Sequence, residues 1–317
     1  MPEGTSKVMV RAVAEHDDLD VINSGNVLWK GAGQELRTVA SVPAERGEAV
    51  VLVAEVSGQP VGCAVGILAP AAAFGYGMAR IYVQPTARRQ GAGSALFDVV
   101  CERGRNRGLA GLMVLVPDSE PAGLAAAQRR GLVDHGHHIE SALALAELDP
   151  RVERREPARA AALGVSLEPL ADDADEQAWR ELYAFFVERL NEAPDSREGG
   201  GNMPYEVFRS FAVEPWQIYV AREAGTGRAV GVTSLMPRTD APARLNTLFT
   251  GVHPDSRGQG LSVALKTAHA CRVRDAGWNE ILTQNMDGNY AILAVNRRLG
   301  FRPVGGCRDL GLAFTSS

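Results

Sequence analysis

Five landmarks of this chain recur at one fixed spacing: Gly62, Arg88, Gly91, Gly108 and Gly131 return 169 residues later as Gly231, Arg257, Gly260, Gly277 and Gly300. Such a constant register means one fold present twice, and no other feature of the sequence restricts the architecture as much. The period is far too long for a solenoid, and each copy is the size of an independent domain. A length of 317 residues is also more than one core usually serves. The copies are expected at 1–150 and 163–317. A linker is expected at 151–162, inside the charged stretch DPRVERREPARAAALG, which has little apolar patterning.

Around Gly62 the chain reads VAEVSGQPVG, and around Gly231 it reads VAREAGTGRAVG. Each is an apolar run, a Gly-containing turn and a second apolar run, the pattern of a β-hairpin. In the first copy the patterning predicts strands near 8–13, 49–56, 60–68, 76–84 and 111–116, with closing strands over 133–147. Helices are predicted near 17–30, 91–107 and 121–130. The segment VSLEPLADDADEQAWRELYAFFVERL repeats the opening order of strand, acidic cap and helix. The apolar residues at 179–190 read as helix core. Strands and helices mixed around one sheet make each copy α/β (α+β).

The chemistry concentrates where a strand meets a helix. Arg88-Arg89-Gln90-Gly91-Ala92-Gly93 follows an apolar strand and opens an amphipathic helix, and Arg257-Gly258-Gln259-Gly260-Leu261-Ser262 does the same in the second copy. Small residues let backbone N–H groups approach an anion, and a helix N-terminus presents free donors and a positive dipole end. Arginine adds a cation. A P-loop would need Lys-Ser/Thr after its last glycine, which neither loop has. A dinucleotide fold would need a third small residue and an acid ending a later strand, which are also missing.

The loops resemble the Arg/Gln-x-x-Gly-x-Gly/Ala signature of the GNAT N-acetyltransferase superfamily, as Arg88-x-x-Gly91-x-Gly93 and Arg257-x-x-Gly260-x-Ser262. The resemblance covers nearly the whole chain, as a tandem pair. It implies two GNAT folds, each a mixed, mostly antiparallel twisted sheet flanked by helices. It implies acetyl-CoA as co-substrate, its pyrophosphate on the loops at 88–93 and 257–262. Its arms would run along Ile81, Tyr82 and Val83, and along Gly251, Val252 and His253. The second copy continues with Thr283, Asn285, Asn289 and Asn296 before Leu299-Gly300-Phe301, an ending similar to the mycothiol synthase-like tandem group. In that comparison Asn289 matches a position that contacts the pantetheine.

Spacing puts Asn289, Leu293 and Asn296 on one helix face, whereas the first copy has Ala127 in place of Asn296. The C-terminal copy is therefore expected to be catalytic, with Asn289, Asn296 and Asp240 as catalytic candidates and Glu188 and Glu206 as further possible bases. The N-terminal copy serves as scaffold or second coenzyme A site. Neither copy carries the tyrosine that many GNATs use to protonate the thiolate, and Tyr290 falls on another helix face. The expected reaction is acetyl transfer to a primary amine of a small molecule by direct attack on the thioester. Two alternatives stay open: a mycothiol synthase-like acetyltransferase, and a non-catalytic acyl-CoA-binding or regulatory protein.

A net charge of −5 without runs of like charge argues against a nucleic-acid or membrane partner. No signal-peptide pattern or bilayer-length apolar run is present, and the four cysteines are scattered, so a cytoplasmic monomer or homodimer is expected. No metal is expected: His135, His137 and His138 begin a strand, where neighbours face opposite sides.

Overall fold

The computed structural model describes residues 8–22, 48–68, 75–192, 204–238, 241 and 243–314. These form two compact units, residues 1–137 with 307–317, and residues 138–306.

The sheet of the first unit contains β1 (Val8–Ala12), β2 (Glu48–Val56), β3 (Gln59–Leu68), β4 (Tyr76–Val83), β5 (Gly111–Pro117) and, last in order, the end of β12 (Arg302–Ala313). All neighbours are antiparallel except β4 and β5. Its helices are α1 (Leu19–Ile22), α2 (Ala92–Asn106) and α3 (Pro121–Arg129). Val50, Leu52 and Ala54 pack with Leu96 and Val100 of α2, while Val51 and Val53 pack with Leu19 and Ile22 of α1. Both faces are covered, which is why β2 reads as a near-continuous apolar run.

The second unit orders β6 (Val133–Ala144), β11 (Glu280–Met286), β10 (Arg244–Val252), β9 (Ala229–Pro237), β8 (Ile218–Glu223) and β7 (Val165–Pro169). Here only β10 and β11 are parallel. Its helices are α4 (Pro150–Ala162), α5 (Glu176–Asn191), α6 (Tyr205–Phe211), α7 (Leu261–Asp275) and α8 (Tyr290–Leu299).

The repeat is visible residue by residue. Gly62 pairs with Val83 as Gly231 pairs with Val252, and α2 and α7 are both 15 residues long. Two features go beyond it. The closing strands are exchanged: residues 138–144 of β6 pair with β11, and residues 307–313 of β12 pair with β5. Residues 151–162, expected as a linker, lie in α4, capped by Asp149 accepting from the Arg151 N–H at 2.8 Å, with Val152 and Ala160 buried. Charge dominates that stretch, and its few apolar residues suffice to bury one helix face.

Candidate active site

In each unit the two parallel strands pair only briefly. β4 and β5 are bonded from Tyr76↔Gly111 to Ala79↔Val114, and β10 and β11 from Arg244↔Glu280 to Asn246↔Leu282. Beyond those points each pair is free of ladder bonds, and in the first unit a cleft of about 1010 Å³ opens there. Ile81, Val83, Gly91, Phe97, Val116 and Ala127 are among its lining residues.

The loop at 88–93 closes the first unit's cleft at the helix end, and the loop at 257–262 stands at the matching place in the second unit. Gly91 (φ 92°) and Gly260 (φ 84°) are left-handed N-caps of α2 and α7, with no side-chain cap bond, so the N–H groups of Ala92 and Gly93, and of Leu261 and Ser262, stay available, while that of Val263 donates to the Gly260 carbonyl. Gly93 lies at the first turn against Val83, and the buried Ala92 and Leu261 anchor the helix starts. Gln90 and Ser262 occupy the remaining loop positions, Gln90 exposed and Ser262 half-buried. The two signature arginines act as matched clasps. Arg88 Nε donates to the Val83 carbonyl and Arg257 Nε to the Val252 carbonyl, both at 3.1 Å. Their outer nitrogens reach Glu120 and Glu192. Much of their donor capacity therefore holds the loop to the strand end. Other cations stand at the loops: Arg89 and Arg129 at the first cleft, and Arg159 of α4, whose guanidinium lies 3.3 Å from where a Gly260 Cβ would be.

Gly258 takes φ 74°, Gln259 Nε2 donates to the Asp255 carbonyl at 3.4 Å, and His253 caps the short 3₁₀ turn that follows β10. Gly251 has a packing reason, since a Cβ there would come within 2.9 Å of Arg189 Cβ and crowd the Phe249 ring.

The second unit differs from the first along its strands and floor. β10 carries a bulge between Thr247 and Phe249, so Leu248 has no ladder partner, whereas β4 runs without interruption along β3. Polar groups replace apolar ones at matched positions. Thr283, Asn285, Asn296 and Lys266 stand where the first unit has Val114, Val116, Ala127 and Phe97. Lys266 Nζ donates to Asn296 Oδ1 at 2.8 Å, Asn296 Nδ2 donates to Asn285 Oδ1 at 2.8 Å, and Thr283 Oγ1 donates to the same oxygen at 3.3 Å. Asn289 is the N-cap of α8, accepting from the Ile292 N–H at 3.4 Å. Burial alone pushes the Lys266 amine down to about 7 and is the largest cause holding His269 down to about 4.

Of the expected site residues, the fold brings Asn296 into this cluster and Asn289 to the start of the same helix. Asp240 lies outside the described residues. Glu188 pairs with Arg189 at 2.6 Å and is largely exposed, Glu206 is exposed, and Tyr290 is 79% exposed. Sequence reasoning missed Lys266 and Arg159, and named Asn285 only as part of the ending that resembles the tandem group. Comparing the copies position by position, in search of apolar residues turned polar, is the signal that finds Lys266 and Asn285. His135 packs edge-on against Tyr76 and His137 pairs with Asp118 at 2.9 Å; among the described residues no group of three potential ligands could hold a metal.

Paired sheets with parted parallel strands, each leading into a glycine-capped helix, define a tandem acyltransferase fold. The profile of the acetyltransferase (GNAT) family matches residues 27–132. A mycothiol acetyltransferase of Clavibacter michiganensis subsp. michiganensis is 30% identical over 266 residues, 81% of this chain and 78% of that protein. One from Pseudarthrobacter chlorophenolicus is 28% identical over 71% of this chain and 67% of its own. Among solved structures, a GCN5-related N-acetyltransferase from Sphaerobacter thermophilus matches with a TM-score of 0.73 at 16% identity, covering 96% of this chain and 95% of that one. A tandem GNAT protein from the clavulanic acid biosynthesis pathway matches at 0.70 and 22%, covering 98% and 100%. This chain belongs to the GNAT family of acetyltransferases, in its tandem form. It is an acyltransferase, and the family's co-substrate is acetyl-CoA.

Proposed function

We propose that this protein is an acetyl-CoA-dependent N-acetyltransferase that acetylates a primary amine of a small molecule by direct attack on the thioester, with the chemistry in the second unit. The observation that carries this reading is the contrast at matched positions: apolar residues along the first unit's cleft, and a buried hydrogen-bonded polar cluster in the second unit. The residues fit coenzyme A in both. Val83, Arg89 and the amides of 91–93 suit it in the first unit; residues 251–253, the amides of 258–262 and Arg159 suit it in the second. Free first-turn amides beside added cations match a pyrophosphate.

Acetyl-CoA supplies the activated acetyl group. The chain orients it, excludes water and offers donors where charge develops. Leu248, unpaired at the bulge, supplies a backbone N–H suited to an oxyanion. Asn289 fixes the start of α8, and Asn296 with Asn285 lines the floor. A base reached through water takes the ammonium proton, and much of the rate comes from holding two reactants together. Thiolate is a tolerable leaving group near neutral pH, its thiol having a pKa of about 8.5.

The relatives named mycothiol acetyltransferases make a mycothiol-type acceptor the first to test. Free Cys63, Cys101, Cys271 and Cys307 suit a reducing cytoplasm. Among the described residues no helix is long and apolar enough to cross a membrane.

The test is calorimetric titration of acetyl-CoA into wild type, Gly91→Trp and Gly260→Trp, followed by thiol release across an amine panel. Loss of turnover in Gly260→Trp alone is expected. Absence of acetyl-CoA binding to wild type would overturn the reading.

A further inference from the structure

Lys266 has no evident reason to be where it is. It is buried to 6% exposure in the core of the second unit, its ammonium 4.8 Å over the Phe301 ring, and among the described residues no carboxylate pairs with it. An unpaired buried lysine is costly, and an apolar residue fits this place, as Phe97 does in the first unit. Its side-chain amine donates to Asn296 Oδ1, at 2.8 Å. That bond settles which way the Asn296 amide faces, because a lysine nitrogen seeks the oxygen and leaves Nδ2 to point away. Nδ2 then donates to Asn285 Oδ1, which also accepts from Thr283 Oγ1. With Oδ1 taken twice, Asn285 is fixed with its Nδ2 donors left over. Asn285 is half-buried on the part of β11 beyond its last bond to β10, and its counterpart Val116 lines the first unit's cleft.

We propose that Lys266 is a positioning residue: through Asn296 it locks the Asn285 amide so that Nδ2–H is presented as a donor to a carbonyl oxygen, thioester or pantetheine amide, in the second cleft. This rests on the reading that the second unit carries the chemistry. Thr247 Oγ1 and His269 Nδ1, buried and without a hydrogen-bond partner, line the same small cavity as Lys266, so the amine shares a mostly apolar cavity with two unsatisfied polar atoms at the point where β10 leaves β11.

The test uses the full chain as wild type, Lys266→Met and Lys266→Gln, with folding checked by circular dichroism. Met removes the donor, and Gln keeps one on a stem one bond shorter. The first readout needs no turnover: side-chain amide signals of ¹⁵N-labelled Asn285 and Asn296, with and without acetyl-CoA. Wild type and Lys266→Gln should show ordered, exchange-protected amides, with Asn285 shifting on acetyl-CoA addition; Lys266→Met should lose both properties. The second readout is thiol release from acetyl-CoA. Lys266→Met should lower kcat by about a hundredfold with KM for acetyl-CoA nearly unchanged, and Lys266→Gln should restore most of it. Unchanged Asn285 signals in a folded Lys266→Met variant, or a Gln variant as impaired as Met, would overturn the proposal. If Gly260→Trp leaves thiol release intact, the assignment of chemistry to the second unit fails instead, and the amide signals without acetyl-CoA still decide whether Lys266 locks Asn285.

Discussion

Arg89 sits at φ 66°, in the left-handed region, where the second copy has Gly258 at φ 74°. A side chain costs about 1 kcal/mol in that conformation, and the copy shows that the loop closes equally well without one. The strain persists at the mouth of the first cleft, beside the free amides of α2. Arg89→Gly is therefore expected to hold or raise thermal stability while weakening acetyl-CoA binding by the first unit, as read by melting and by calorimetry in the Gly260→Trp background. Lys266 is a second residue whose cost is measurable. Burial pushes its amine down to about 7 from the ordinary 10.5. Between those values the unfolded chain holds a proton that the folded chain does not, so stability rises with pH through that window; the penalty is fully present below about 7. The stability advantage of Lys266→Met over wild type should thus shrink between pH 7 and 10.5, by on the order of 5 kcal/mol, in urea unfolding at several pH values. An advantage that does not change with pH would mean the amine is not desolvated. Asn296 is legible in the sequence because a polar residue in mid-helix stands out against Ala127. Lys266 is not, because lysine in a helix ordinarily reads as surface.

At the scale of elements, the helix expected over 91–107 forms over Ala92–Asn106, and the strand expected over 111–116 forms over Gly111–Pro117. Left-handed glycines at Gly91 and Gly108 bracket that helix in the sequence itself. The bulge in β10 leaves no such mark. β10 is one residue longer than β4, and the connection before it is one residue shorter, so the 169-residue spacing of the landmarks is unchanged on either side. The bulge is where the two strands first differ, and the proposed oxyanion donor is the backbone N–H of the residue it sets out of register. Deleting Leu248 should return β10 to the plain register of β4, a geometry this fold already tolerates. Some stability is lost with the contacts Leu248 makes to the cluster around Phe186 and Phe208. The expected outcome is a folded protein that binds acetyl-CoA within about threefold of wild type and releases thiol about a hundredfold more slowly. Equal loss of binding and turnover would assign the bulge to cofactor binding alone.

For the whole molecule, the repeat announces two folds but cannot say which sheet each closing strand joins, because both sheets offer an equivalent edge and both strands carry the same pattern. The exchange means that the copies and the compact units are different divisions of the chain. The first unit depends on residues 307–317, where Cys307 and Leu310 are buried at 1% and 0% exposure. The second depends on 138–144, where Leu143 is buried at 2%. Removing either strand exposes a ladder edge and forfeits about 2 kcal/mol for each large apolar side chain it buried, a large share of the stability a domain has. Residues 1–150 expressed alone carry the β6 strand but lack β12, so their sheet ends at an unpaired β5; residues 151–317 lack β6 and leave β11 bare in the same way. Neither fragment should give a cooperative thermal transition by itself, whereas co-expression should recover both and restore acetyl-CoA binding. A chain ending at Gly306 makes the sharper test, since it keeps the entire second unit. Its damage should fall on the first unit: hydrogen exchange should speed up in β4 and β5 while β10 and β11 stay protected. Fragments that melt cooperatively on their own would mean that each closing strand can return to the sheet of its own copy.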